Sequence, residues 1–119
     1  MDFHAFQFHP KIVTGLKEIG YTEPTPIQKQ AIPTILEGHD IIGLAQTGTG
    51  KTAAFVLPIL NRLMAGTSKH IRALVIAPTR ELAEQIHESI ILLGKHTRLR
   101  SITVYGGVSM SAQIEKIRR

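Results

Sequence analysis

The fold is decided by residues 41–52, which read IIGLAQTGTGKT. An apolar, β-prone run, Ile41–Ala45, leads into a loop with two glycines, and the loop closes with Lys51 and Thr52. Glycines let the backbone of such a loop point successive N–H groups at a phosphate. A helix that begins at Lys51 would add its own free N–H groups and its dipole. The residues therefore predict a strand, a phosphate-binding loop and a helix, in that order.

Two more apolar runs, Ala73–Ala77 and Ile102–Tyr105, follow the first along the chain. The three starts are spaced by roughly 30 residues, which is typical of parallel strands joined by crossover helices. The first two runs hardly alternate in polarity, as expected for strands that are covered on both faces. The pattern predicts an α/β fold in which helices flank a parallel sheet.

Helical patterns precede and separate these runs. The predicted helices begin at Pro10, Thr25, Lys51, Thr79 and Ser109 or Ser111. Gly20 is expected to end the first helix. Pro33 is expected to bend or shorten the second helix, and Pro58 to kink the third. Residues 1–38 are thus predicted to form a helical extension, and residues 39–119 an α/β region.

The composition is that of an ordinary globular protein. The 119 residues are 43% hydrophobic and 19% charged, which suits one compact domain. A net charge of +5 is compatible with a polyanionic partner but does not by itself establish one. The absence of cysteine excludes a disulfide framework and a cysteine metal site. The mixed, charged start and the short apolar runs predict a cytoplasmic protein without a membrane segment.

Four motifs occur together in a characteristic order. Residues 20–28 read GYTEPTPIQ, with Phe3 lying 17 residues before Gly20, and residues 45–52 read AQTGTGKT. Residues 78–83 read PTRELA, and the doublet Gly106-Gly107 follows. In this order the motifs resemble the Q motif, the phosphate loop, motif Ia and the glycine doublet of DEAD-box ATP-dependent RNA helicases, with a bacterial member expected. The family's form of the phosphate loop begins with alanine, where the general pattern has glycine.

The resemblance implies an amino-terminal fragment of the first RecA-like domain of such a helicase, with ATP and Mg²⁺ as cofactors. Adenine recognition falls to Gln28, whose amide can both donate and accept, and base stacking to Phe3 or Tyr21. Ordinary packing within the extension is the alternative for Phe3. Lys51 and Thr52 become the catalytic residues, with Thr52 as the Mg²⁺ ligand through ATP. The implied nucleotide-binding residues are Phe3, Tyr21, Gln28, Ala45, Gln46, Thr47, Gly48, Thr49, Gly50, Lys51 and Thr52.

Contact with an RNA backbone is implied for Pro78, Thr79, Arg80, Gly106 and Gly107. Thr79 stands at a predicted helix start, where its hydroxyl and nearby N–H groups suit a phosphate oxygen, and Arg80 adds charge. The glycines would let a sugar–phosphate strand approach the main chain. A helix cap at Thr79 and a turn at the doublet are structural alternatives that are compatible with these roles.

The family's Asp-Glu-Ala-Asp motif, its later motifs and its second RecA-like domain do not occur in this sequence. Since the acid that orients water and Mg²⁺ is among them, the chain alone is expected to bind ATP without hydrolysing it. Its phosphate-loop strand would lack neighbours, which predicts poor stability, dimerisation or domain swapping. The expected partners are ATP, an RNA backbone and the parent protein's second RecA-like domain. A non-catalytic nucleotide- or RNA-binding module and another phosphate-loop NTPase are the alternative functions.

Overall fold

The computed structural model of the chain describes residues 2–46, 48, 50–66, 70–106 and 113. The α-helices within these ranges are α1 Pro10–Glu18, α2 Pro26–Leu36, α3 Lys51–Leu63 and α4 Arg80–Leu93, and a 3-10 helix, Phe3–Phe6, precedes them. The first four predicted helix starts are confirmed, with Thr25 and Thr79 as N-cap residues. The predicted fifth helix lies outside the described residues apart from Gln113, which is helical. None of the helices in the described ranges has the length and apolar character needed to span a membrane.

Local signals set both ends of α1. Pro10 occupies the first turn, where its missing N–H is not needed, and the His9 ring accepts the Lys11 N–H at 3.1 Å. At the other end Gly20 adopts φ +78°. Its N–H and the one that follows reach back to two carbonyls of the last helical turn, at 3.2 and 2.9 Å. These two bonds form a Schellman motif, which confirms the predicted stop at Gly20.

Neither of the internal prolines ends its helix. α2 continues from Pro33 to Leu36, and α3 continues from Pro58 to Leu63. A proline removes only its own N–H from the ladder, and the Glu37 N–H still donates to the Pro33 carbonyl at 3.1 Å. The expectation that Pro33 shortens α2 is therefore wrong. The bend at Pro33 and the kink at Pro58 stay predictions.

The core of the described structure lies between helices. α3 packs against α1, α2 and α4, and α4 also contacts α1. The buried cluster draws on the amino-terminal aromatic segment and on all four helices, and it contains Phe3, Phe6, Phe8, Ile12, Leu16, Ile32, Ala53, Val56, Leu57, Leu60 and Leu93. Residues from both sides of position 38 thus share one core. The domain boundary expected at that position stays a prediction.

The three predicted strands show no strand pairing in the described part of the chain. Their aliphatic side chains are largely exposed: Ile42 is 91%, Leu44 90%, Leu74 82% and Ile76 85% accessible. The parallel sheet is thus not confirmed. A strand is stable only beside a hydrogen-bonded neighbour. The resemblance places some of the neighbours of residues 41–45 in a part of the family's domain that this sequence does not include.

Two contacts join α1 to the end of α4. A Cβ added to Gly15 would lie 3.2 Å from the Leu93 carbonyl oxygen, so the two backbones approach each other closely at this glycine. One oxygen of the Glu18 carboxylate lies 2.8 Å from the His96 ring nitrogen and 3.6 Å from the Lys95 ammonium. The amino-terminal extension is therefore held to α4 by packing and by charge.

Replacing Gly15 with alanine tests the close packing of α1 on α4. In an isolated helix alanine is about 1 kcal/mol more favourable than glycine. Here we expect Gly15→Ala to lower the midpoint of thermal unfolding, because the new Cβ would press on the backbone of α4 at Leu93. Gly43→Ala is the control, since its Cβ would meet only the end of the Ile27 side chain at 3.7 Å. A higher midpoint for Gly15→Ala would contradict the close contact.

The contact of Glu18 with His96 and Lys95 predicts that the stability of the fold depends on pH. The hydrogen bond from His96, followed by the charges of His96 and Lys95, lowers the pKa of the Glu18 carboxyl. A lowered pKa stabilises the fold above the unfolded value of about 4.3, and this stabilisation is lost as the pH falls through the folded-state pKa. We therefore expect Glu18→Gln to lower the urea midpoint at pH 6, and the difference from wild type to shrink below about pH 4.

Glu88→Gln is the control for the change in net charge, since it removes an exposed carboxylate of α4. The test is to measure the urea midpoints of the three proteins by circular dichroism from pH 6 to below about pH 4. A wild-type advantage over Glu18→Gln that persisted unchanged to acid pH would contradict the role given to Glu18.

Candidate functional site

The loop between the first apolar run and α3 has the backbone conformation that its glycines predict. Gly48 and Gly50 have φ values of +86° and +82°, in the left-handed region. The Lys51 ammonium donates to the Ala45 carbonyl at 2.8 Å, so this side chain joins the end of the loop to its start. Two predicted nucleotide-binding residues lie outside the described ranges: Thr47 and Thr49.

The amino terminus of α3 carries no side-chain cap. Gly50 is the N-cap residue, and the Ala54 N–H makes the first intrahelical bond, to the Gly50 carbonyl at 3.2 Å. The N–H groups of Lys51 and Thr52 therefore have no partner within the helix. Together with the helix dipole they suit this end of α3 to an anion. Gln46 and Lys51 are exposed, and Thr52 is half-buried.

Gln28 is the buried polar side chain of the described core, with 2% of its surface exposed. Its Oε1 accepts the Thr25 N–H at 2.9 Å, and its Nε2 donates to the Gly50 carbonyl at 3.0 Å. Because the first partner is a donor and the second an acceptor, only one orientation of the amide satisfies both. A single side chain thus ties the start of α2 to the loop at the start of α3.

The amide of Gln28 keeps one N–H and one oxygen lone pair beyond these two bonds. Adenine offers an acceptor and a donor that match this remaining pair. With 2% of Gln28 exposed, a base can reach the amide only if the side chains that cover it move. The Gln28 amide therefore has hydrogen-bonding capacity that the described structure does not use.

The two aromatic candidates lie in different environments. Phe3 is 5% exposed and packs edge-on against Phe6, with ring centroids 5.9 Å apart. Tyr21 is 39% exposed, and its ring centroid lies 5.9 Å from that of Phe3. Ordinary packing thus describes the Phe3 ring, and Tyr21 is the candidate with free ring surface. Stacking of either ring on a base stays a prediction.

A second candidate surface lies at the start of α4. Thr79 caps the helix, because its hydroxyl accepts a main-chain N–H three residues on at 3.1 Å. Pro78, Thr79 and Arg80 are all exposed. The Arg80 guanidinium carbon lies 5.4 Å from the centre of the Tyr105 ring. Since Gly106 follows Tyr105 directly, this contact brings the PTRELA segment and the first glycine of the doublet together.

The third apolar run lies along α4 and contacts it through alternate side chains. The Ser101 hydroxyl lies 2.9 Å from a ring nitrogen of His87. The Thr103 and Tyr105 hydroxyls donate to one oxygen of Glu84, at 3.1 and 2.9 Å. Such alternation is typical of an extended chain, although no strand pairing accompanies it among the described residues.

The environment of Tyr105 changes its acidity. The hydrogen bond to Glu84, then desolvation and the carboxylate charge, raise the pKa of the Tyr105 hydroxyl, and the charge of Arg80 opposes them. The phenol therefore stays protonated, and remains a hydrogen-bond donor, to a higher pH than an ordinary tyrosine. The second glycine of the doublet, Gly107, lies outside the described residues.

The family model described as DEAD/DEAH box helicase matches residues 25–119 of this chain. The chain belongs to the DEAD/DEAH box helicase family. The DEAD-box ATP-dependent RNA helicase RhpA of Helicobacter pylori (strain ATCC 700392 / 26695) is 50% identical to it over 117 residues, which are 98% of this chain and 23% of RhpA. The ATP-dependent rRNA helicase RRP3 of Saccharomyces cerevisiae (strain ATCC 204508 / S288c) is 49% identical, with the same coverage. The chain thus spans less than a quarter of the length of these relatives.

Two solved structures follow the same chain path. A DEAD box protein from the hyperthermophile Methanococcus jannaschii is 32% identical with a TM-score of 0.91, and the match covers 98% of this chain and 32% of that one. The RNA helicase Prp28 from Chaetomium thermophilum, bound to ADP, is 36% identical with a TM-score of 0.88, and the match covers 98% and 30%. The described chain therefore has the fold of the corresponding part of a DEAD-box helicase.

The DEAD-box motifs do not point to every residue that the structure brings to the site. Tyr105 contacts the motif residue Arg80, and Glu84 bonds to Tyr105, yet the motifs include neither residue. Two signals could have found them. Glu84 lies four residues after Arg80 on the same face of a predicted helix, and Tyr105 directly precedes the glycine doublet.

The residues of the loop suit a nucleotide phosphate better than a protein-held metal. Left-handed glycines, the Lys51 ammonium and the free N–H groups of α3 form a set of donors. Within the described ranges, no group of three His, Asp or Glu side chains could hold a metal ion. The hydroxyl of Thr52 is the expected Mg²⁺ ligand, and it would act together with the phosphates of a bound nucleotide.

Gly50 and Gly48 offer a matched pair of substitutions. Both have positive φ, so alanine at either position introduces about 1 kcal/mol of backbone strain. Only at Gly50 would the added Cβ also collide with the Gln28 amide nitrogen, whereas at Gly48 it would meet nothing within 4 Å. We expect Gly50→Ala to lower the thermal midpoint clearly more than Gly48→Ala does. Equal losses in both variants would show that the contact between Gln28 and Gly50 contributes little.

Proposed function

We propose that this chain forms the ATP-binding part of an ATP-dependent RNA helicase and the first part of its RNA-binding surface. The proposal rests chiefly on the Gln28 amide, which joins the Q motif to the phosphate loop at Gly50. The relatives support it, since RhpA and RRP3 are named as ATP-dependent helicases and the Prp28 structure holds ADP. In the complete protein the three apolar runs would become parallel strands of a RecA-like sheet.

Phosphate binding would use donors that are already close together. The backbone of Gly48 and Gly50 and the free N–H groups of α3 would surround the phosphates. Lys51 would exchange its bond to the Ala45 carbonyl, a neutral acceptor, for a stronger charge-assisted bond to a phosphate oxygen. The Thr52 hydroxyl would ligate the Mg²⁺ that accompanies ATP and supplies charge neutralisation there.

Base recognition would add to the two bonds that Gln28 already makes. Its remaining N–H and lone pair match the acceptor and donor on the edge of adenine. On guanine the donor and acceptor are exchanged, so the amide would face groups of its own kind. The exposed Tyr21 ring would stack on the purine face, with Phe3 supporting it from the core. Because the same amide holds the Gly50 carbonyl, the base and the phosphate loop would be coupled through one side chain.

The same proposal limits what this chain does alone. The sequence contains no Asp-Glu-Ala-Asp tetrad, so the chain would bind ATP without turning it over. Hydrolysis and unwinding would require that acid and the second RecA-like domain of the complete helicase. Backbone contact with RNA would fall to Pro78, Thr79, Arg80, Gly106 and Gly107. Such contacts position a strand but carry no base information.

Nucleotide binding to Gln28 and Lys51 variants tests the proposal. Lys51→Ala should weaken ATP and GTP alike by roughly 10- to 100-fold, because it removes a charged hydrogen-bond donor. Gln28→Glu keeps an acceptor for the Thr25 N–H but loses both amide N–H groups. It should weaken ATP by about 3- to 10-fold more than GTP, and so reduce the preference for ATP. Isothermal titration calorimetry in the presence of Mg²⁺ measures both.

Lys29→Ala is the control, since it removes an exposed lysine adjacent to Gln28 in α2. Its affinities should match those of the wild type. Equal binding of ATP and GTP by the wild type, together with no effect of Gln28→Glu or Lys51→Ala, would mean that the site is assigned wrongly.

A further inference from the structure

Among the described residues, the Arg80 side chain contacts an aromatic ring rather than a carboxylate. Its guanidinium carbon lies 5.4 Å from the centre of the Tyr105 ring, within the range of a cation–π contact. Glu84 stands four residues later on α4, where an arginine and a carboxylate commonly pair. Among the described residues, however, Arg80 makes no ion pair within 4 Å. The guanidinium is therefore held in place while its charge is not neutralised.

The Glu84 carboxylate bonds to the third apolar run instead. One oxygen of the Glu84 carboxylate accepts two hydroxyl protons, from Tyr105 at 2.9 Å and from Thr103 at 3.1 Å. These bonds direct the carboxylate to the third apolar run and fix the phenol of Tyr105 at the same time. The acid that could compete for Arg80 is instead used to anchor the ring on which Arg80 lies.

A guanidinium that lies over an aromatic ring can still bind an anion through its N–H groups. Stacking uses the face of the group, and the five N–H donors point outward in its plane. A phosphate can therefore be bound through the edge while the ring supports the face. Arg80 is exposed, it follows the helix-capping Thr79, and its supporting ring directly precedes Gly106. The contact between Arg80 and Tyr105 thus joins the two segments to which RNA-backbone contact was assigned.

We propose that Tyr105 and Glu84 are positioning residues that hold the Arg80 guanidinium ready for a backbone phosphate of single-stranded RNA. The proposal rests on the RNA-binding function given above and identifies what orients its charged group. Tyr105 supplies the platform, and Glu84 fixes the platform through the hydroxyl. Neither residue needs to touch the RNA.

Binding of a fluorescein-labelled oligouridine to the complete helicase that carries this chain, measured over a range of salt concentrations, tests the proposal. Arg80→Ala should weaken binding several-fold and reduce the slope of log K against log [salt] by about 0.7, the loss expected for one phosphate contact on a single strand. Tyr105→Leu should reproduce most of both changes although it removes no charge. Tyr105→Phe, which keeps the ring, should retain most of the wild-type slope.

Glu84 is tested by two variants that remove the same charge. Glu84→Gln keeps an oxygen that can accept the Tyr105 hydroxyl, and Glu84→Ala does not. The alanine variant should bind the oligonucleotide more weakly than the glutamine variant and show the smaller salt slope. In an Arg80→Ala background, Tyr105→Leu should have no further effect on either quantity.

Arg62→Ala is the matched control, because it removes an exposed arginine from α3. It should leave the salt slope at the wild-type value, and ATP affinity should be unchanged in all variants if the fold is intact. Loss of affinity and slope in Arg80→Ala but not in Tyr105→Leu would overturn the positioning role and leave the RNA-binding function standing. Unchanged binding in Arg80→Ala would overturn the phosphate contact itself. A wild-type helicase that bound no RNA would instead refute the proposed function.

Discussion

The hydrogen bonds of one buried amide organise the candidate nucleotide site. Gln28 lies in the core with 2% exposure, where an unsatisfied polar group would cost about 1–3 kcal/mol. Both of its ends are used: the oxygen completes the N-terminus of α2, and the nitrogen holds the Gly50 carbonyl. Gly50 can approach only because it has no side chain and tolerates a φ of +82°. The start of α2, the loop and the start of α3 are therefore set by one residue.

The helices could be predicted because their signals are local. A capping threonine, a first-turn proline or a glycine after the last turn acts within about one turn of chain, whatever lies around it. The sheet could not be verified in the same way, since a strand depends on a neighbour elsewhere. Ile42 and Leu44 have strand-forming character but remain more than 85% exposed in this structure. Pro33 does not shorten α2 as its residue type predicts, because a proline removes only one N–H from the ladder and the helix continues to Leu36.

The candidate site was predicted to the extent that its residues form contiguous motifs. The left-handed glycines, the Lys51 ammonium and the Thr79 cap are consequences of residue type at a fixed position. The bond from Gln28 to Gly50 was not anticipated, because it joins residues 22 positions apart and depends on the packing of α2 against α3. The contacts of Tyr105 with α4 were missed for the same reason. They appear only when the third apolar run is laid along the helix.

The placement of the two tyrosines has an optical consequence. The sequence contains two tyrosines and no tryptophan, so the near-ultraviolet spectrum of the folded chain above the phenylalanine bands comes from two phenols alone. Tyr21, a candidate for base stacking, is partly exposed beside Phe3, and Tyr105 lies beneath a cation with its hydroxyl bonded to a carboxylate. These environments differ in charge and in hydrogen bonding. The two candidate surfaces therefore each carry a distinguishable chromophore of their own, without any added label.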